Sequence, residues 1–149
     1  MANYTAVGSI AVAATKTALI LGATAATRFR ITAFSLSTAG TPTSDQGVEV
    51  QVRRATALGT STAVTPGPCD PADPASVFTA GSNCTVEPTY STGSLLDRAF
   101  NPRATIQWAA YDPRSELVAP ATANNGIGFQ CVGAGGAAGN FLVDAMIIQ

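Results

Sequence analysis

Polar and apolar residues alternate along much of this chain with a period of two. Val48, Val50 and Val52 alternate with Glu49, Gln51 and Arg53, the signature of a strand with one face buried. Phe29, Ile31 and Ala33 alternate with Arg28, Arg30 and Thr32, and the phase then slips to Phe34 and Leu36. Such a slip predicts a β-bulge or a strand that crosses between sheets. Further strands are predicted over Ala6–Val12, Thr17–Leu21, Thr60–Thr65, Ala104–Tyr111, Ile127–Val132 and Asn140–Ile148. No segment carries a sustained 3.6-residue stripe with caps. Ser94–Phe100 reads as a single helical turn, ended by Asn101-Pro102. Ser37–Gly47 reads as a long exposed connection. Thr65–Asn83, with Pro66, Pro68, Pro71 and Pro74, reads as an extended, poorly hydrogen-bonded excursion.

Short strands separated by Gly and Pro predict an all-β fold, an antiparallel β-sandwich of about eight strands with a jelly-roll-like order. The 149 residues make one domain, residues 1–149, preceded by a short N-terminal arm over residues 1–5. Met1–Thr5 lacks a basic region, and the run Ala18-Leu19-Ile20-Leu21 is far shorter than the ~20 residues of a membrane span. The expectation is a soluble protein made in a cytosol.

Charge narrows the choice of function. Only 11% of the residues are charged, and eight basic against nine acidic side chains leave a net charge of −1. No electrostatic footprint for nucleic acid or an anionic membrane results. Histidine is absent, which removes Ser-His-Asp and Cys-His pairs, His-ligated zinc and the commonest neutral-pH proton carrier. Composition points to a protein that works by shape, with no catalytic residues, cofactor or metal.

Each local motif has a plain structural reading. Gly133–Gly139 contains the spacing G-x-G-x-x-A, but the ten residues that follow read as a strand, so a glycine hairpin is expected in place of a dinucleotide site. Asp70-Pro71 and Asp73-Pro74 look like successive turn starts and lack the alternating acidic pattern of a calcium loop. Glu49, Glu87, Glu116 and Asp144 are scattered; Glu87 and Glu116 read as solvated positions beside turns, and Trp108 as a core residue. Cys69 and Cys84 flank a Pro- and Asp-rich loop whose closure by a disulfide would contribute about 3 kcal/mol; three reduced thiols are the plainer reading for a cytosolic product, with Cys131 a small buried hydrophobe. Seven of the eight basic residues are arginine, among them Arg53, Arg54, Arg98, Arg103 and Arg114. Arginine is enriched at protein interfaces and lysine depleted, although a GC-rich genome makes the same exchange.

Taken in order, Arg30–Ser37, Val48–Ala55, Gly59–Pro66, Thr85–Tyr90 and Phe100–Ala104 through Trp108 resemble small all-β proteins encoded beside the capsid genes of tailed bacteriophages, the head decoration or cement proteins. The resemblance spans nearly the whole chain and rests on texture and order. It implies a structural virion protein, a homotrimer on the outer capsid surface that bridges subunits of the major capsid protein. Nucleic acid and membrane are not among the implied partners. Ala2, Asn3 and Tyr4 are the expected capsid contacts, since a short terminal segment can add a strand to a neighbour's sheet. Arg53, Arg54 and Arg98 are the expected contacts between protomers. The rival expectation is a carbohydrate-binding or adhesive module of a head fibre or tail.

Overall fold

A computed structural model describes residues 1–11, 15–40, 45–132 and 139–149. The alternating segments become strands, in chain order β1 (Asn3–Ala11), β2 (Lys16–Gly22), β3 (Phe29–Ala39), β4 (Val48–Ala57), β5 (Thr60–Val64), β6 (Gly67–Pro68), β7 (Thr79–Val86), β8 (Thr89–Tyr90), β9 (Leu96–Phe100), β10 (Ile106–Ala109), β11 (Leu117–Ala119), β12 (Gly126–Val132) and β13 (Asn140–Ile148). All pairings are antiparallel, and the strands form two sheets packed face to face, a β-sandwich. The first sheet runs β10-β3-β13-β1-β6, with β11 also on β3; the second runs β5-β7-β2-β12-β4-β8, with β9 also on β4. The strands number thirteen where about eight were expected, because long strands such as β3 and β4 each pair with two short ones and β6 and β8 are only two residues long. Among the described residues no helix is long and apolar enough to cross a membrane.

Inward-facing positions of both sheets make one core. Ile31, Phe34 and Leu36 of β3 and Phe141, Val143, Ala145 and Ile147 of β13 face Val48, Val50 and Val52 of β4 and Ile127, Phe129 and Cys131 of β12. The rings of Phe34 and Phe129 meet edge to face at 5.1 Å, joining the sheets. The phase slip of β3 is a bulge: Met146 pairs with Ala33 and Ile147 with Ile31, so Thr32 is skipped and Phe34 and Leu36 return to the inner face.

Several expectations are corrected. Ser94–Phe100 forms no helical turn; Leu96–Phe100 is β9, held by pairs from Val52–Leu96 to Val48–Phe100. The connection expected from Ser37 is strand as far as Ala39, and residues 41–44 lie outside the described residues, as do residues 133–138 of the glycine hairpin expected over Gly133–Gly139. The Pro-rich excursion is not poorly hydrogen-bonded. Gly67 and Pro68 pair with β1, the Cys69 N–H donates to Asn3 O at 2.8 Å, the Tyr4 hydroxyl to Pro74 O at 2.9 Å and the Val77 N–H to Gln149 Oε1 at 2.8 Å. Phe78 then packs on Tyr4 and Phe29, closing one end of the core, and β7 begins at Thr79.

Three tight turns share one design. In Asp70-Pro71-Ala72-Asp73, Asn101-Pro102-Arg103-Ala104 and Asp112-Pro113-Arg114-Ser115 the first side chain accepts the third residue's N–H, at 2.9, 2.9 and 2.6 Å. In each the first carbonyl accepts the fourth N–H. Proline presets φ at the second position and the Asx oxygen closes the turn. Asp70 thus does what was expected of it, while Asp73 supplies only the closing N–H.

Candidate functional site

The two outer faces differ, and each sequence-derived candidate finds its place on one of them or at an edge. On the first sheet the outward side chains lie in cross-strand rows: Thr5, Met146, Ala33 and Ala109; Val7, Asp144, Ser35 and Gln107; Ser9, Leu142 and Ser37. Val7 is 53% exposed and Met146 47%. Asp144 is the one charge in these rows. This face is mixed and sparsely charged; the next outward row, Asn3, Ile148, Arg30 and Val118, adds only Arg30, which Glu116 pairs. Within it lies a shallow groove of about 260 Å³ lined by Ser35, Gln107, Trp108, Asp144 and Met146. Trp108 is half-buried and stacks on Phe34 at 5.1 Å, so it belongs partly to the core, as expected, and partly to the groove.

The outer face of the second sheet is covered by the chain itself. Gly128 presents no side chain, and the Tyr90 ring lies where a methyl group would stand. Leu58 lies in the same way over Gly22 and Gly126. The turn into β5 depends on Gly59 at φ +70°, a left-handed conformation that also keeps it against the Val86 carbonyl. Ile20, Ala55 and Cys84, with Leu58 and Tyr90, therefore make a second, smaller apolar cluster outside the sheet.

Next to that cluster is a polar one. Thr17 donates its N–H to Glu87 Oε1 at 3.2 Å and its hydroxyl to Glu87 Oε2 at 2.6 Å. Its Oγ1 lies 2.7 Å from the Tyr90 hydroxyl, which donates to it. Gln130 gives its Nε2–H to Glu87 Oε2 at 3.5 Å and accepts from Arg53 Nη1 at 3.1 Å. Arg53 also donates to Ser91 O and lies 4.8 Å over the Tyr90 ring. Lys16 Nζ stands 4.0 Å from Glu87 Oε1. Burial, with the Glu87 carboxylate nearby, pushes the Cys84 thiol up to about 11, and burial does the same to Cys131. Burial also raises the Tyr90 phenol above its ordinary value. All three cysteines are free, with Cys69 exposed.

The expected contact residues do not come together. Residues 2–5 are no free arm: β1 starts at Asn3 and pairs with β13 from Asn3–Ile148 onward, and Ala2 exchanges backbone hydrogen bonds with Gln149. The reason is alternation, since Tyr4 and Ala6 already point inward; Tyr4 is 1% exposed and offers a partner nothing. Asn3 remains exposed and Ala2 is half-buried. Arg53 is held in the polar cluster, while Arg54 donates to Val118 O of the opposite sheet. Arg98 is exposed on β9 and donates to the Asp97 carbonyl.

The carboxylates divide similarly. Glu87 and Glu116 are only partly solvated and are engaged: Glu87 anchors Thr17, and Glu116 holds Arg30 at 3.1 Å. Glu49 accepts from Gln51, and Asp144 faces outward. Among the described residues no group of three His, Cys, Asp or Glu side chains is arranged to hold a metal. The Thr17–Gln130–Glu87 cluster went unread in the sequence. Its signal is a lone polar residue in each of two apolar strands, Thr17 before Ala-Leu-Ile-Leu and Gln130 within Gly-Phe-Gln-Cys-Val.

No protein-family model, no curated protein and no solved structure matches this chain.

Proposed function

We propose that this protein is a structural component of a tailed-phage virion, a trimeric decoration protein that clamps neighbouring coat subunits on the head surface. The observation that carries the reading is the bare outer face of the first sheet, with Val7 and Met146 about half exposed and one carboxylate in the middle. Interface cores are depleted in charge and enriched in methionine. The order of strand-forming runs described above supports the capsid assignment. A rigid sandwich whose N-terminus is pinned into a sheet suits a part that transmits load without moving.

The trimer forms head to tail. The Asp144 face of one protomer meets the Arg98 edge of the next, a heterologous contact that closes after three steps. Asp144 supplies the only charge in its rows, and Arg98 is the expected contact arginine that stays exposed and, among the described residues, without a carboxylate partner. Asn3, exposed at the end of that sheet beside the half-buried Ala2, then touches the coat protein. Three weak contacts per trimer combine through effective concentration into stable attachment.

Light scattering and head-binding assays test this. The purified chain runs as a trimer and binds expanded heads of the virus that encodes it. Asp144→Arg and Arg98→Asp each release monomers, and the double exchange restores the trimer. A monomer that ignores heads overturns the reading.

The groove favours a second reading, a carbohydrate-binding module, because Gln107 and Asp144 give it an amide and a carboxylate to which sugar hydroxyls could bond. Glycan-array binding lost in Gln107→Ala, with the trimer absent, would select it.

A further inference from the structure

Among the described residues, two polar side chains are buried, Thr17 at 0% and Gln130 at 4% exposure. They sit opposite each other across the β2–β12 pairing, just past its register shift. One carboxylate oxygen, Glu87 Oε2, touches both, at 2.6 Å from Thr17 Oγ1 and 3.5 Å from Gln130 Nε2. The amide can satisfy both neighbours in one orientation only, its nitrogen toward the carboxylate and its oxygen toward the guanidinium of Arg53. The same contacts put a base on the hydroxyl, an acceptor on the amide nitrogen and a cation on the amide oxygen, the three groups that an acyl transfer between the two side chains would use.

We propose that Thr17 and Gln130 form an intramolecular ester, a covalent rung between β2 and β12. Glu87 Oε2 takes the proton from Thr17 Oγ1 as that oxygen adds to Gln130 Cδ, the place of a general base at hydrogen-bond distance from its nucleophile. Negative charge collects on Gln130 Oε1, which Arg53 Nη1 already meets at 3.1 Å. The Cδ–Nε2 bond then breaks, Glu87 returns the proton to that nitrogen, and ammonia leaves. The hydroxyl and the primary amide become an ester plus ammonia, with no oxidant, metal or co-reactant. Tyr90 donates to Thr17 Oγ1 at 2.7 Å and restrains that oxygen. Cross-strand pairing supplies the proximity that an encounter in solution lacks. Burial under the Glu87–Tyr90 segment keeps water from hydrolysing the product.

The rung stands on sheet geometry alone, so its failure leaves the capsid reading intact, and the reverse. Intact-mass spectrometry of the purified full chain is the test, followed by tryptic digestion of the unfolded protein. The expected chain is lighter by one ammonia molecule. Its peptides Thr17–Arg28 and Ser115–Gln149 travel as one species, which mild alkali separates because an ester joins them. Thr17→Val and Glu87→Gln, checked for folding by circular dichroism, keep the ammonia and give separate peptides. A native chain of full mass overturns the proposal. So does ammonia loss with the two peptides apart, which an Asn125-Gly126 succinimide would give, or a joined species that survives in Thr17→Val.

Discussion

The outer faces of the two sheets have been put to opposite uses. The first sheet leaves its face bare and sparsely charged, with Val7, Met146 and Asp144 in neighbouring rows. The second sheet thins its face with Gly22, Gly126 and Gly128 and covers it with Leu58, Tyr90 and Glu87 from following turns. A bare face is surface that another molecule can use. A covered face has become a second interior, where polar groups must find partners and where a side chain cannot be added without displacing another.

The difference makes substitutions on the two faces unequal. Gly128→Val pushes the Tyr90 ring off β12 and is expected to cost about 1–3 kcal/mol in urea unfolding. The same change at Ser35, opposite Asp144 on the bare face, is expected to stay within about 0.5 kcal/mol. Equal costs at the two sites would mean that the second face is not a true interior.

Alkaline pH is expected to act on the interior next. The Cys84 and Cys131 thiols ionise near pH 11 in the fold against an ordinary 9.0. Folding therefore favours their protonated form. The stabilisation is whole below pH 9 and is lost as the pH rises toward 11, because the unfolded chain releases those protons first. Thermal unfolding at pH 8 and pH 10.5 measures the drop, and Cys84→Ser with Cys131→Ser flattens it. At neutral pH, iodoacetamide is expected to label Cys69 alone until denaturant is added.

The smallest effect on stability belongs to the bare face. Val7→Lys and Met146→Lys are expected to shift unfolding by about 0.5 kcal/mol or less, yet to abolish the trimer in light scattering. Loss of folding in either would show that this face is packed within the monomer.

Much of the framework was legible because burial imposes a period. Val48, Val50 and Val52 point inward as their alternation requires, and the phase slip after Ala33 is a bulge at Thr32. β7 and β9 were missed for a physical reason. Arg98 and its neighbours on β9 are exposed, with only Phe100 buried, and β7 carries Ala80 and Gly81 where a large apolar residue would have shown the pattern. These segments are strands because β2 and β4 offer them hydrogen-bonding edges. A partner of that kind lies outside any local window.

The site was harder to read than the framework. Arg53 and Arg54 are adjacent and chemically identical, yet one joins Gln130 on the outer side of the second sheet and the other reaches the first sheet at Val118. Glu87 looked like a solvated residue before a proline and became the centre of a partly buried network around Thr17 and Gln130. Local sequence determined that the chain would form amphipathic strands, where they would turn at Asx-Pro, and that histidine chemistry was closed to it, since side-chain period, turn geometry and composition act within a few residues. Tertiary structure alone decided which outer face stayed open and which polar residues met. Those outcomes depend on distant segments, such as Thr17 and Glu87, 70 residues apart, being folded onto the same patch of sheet.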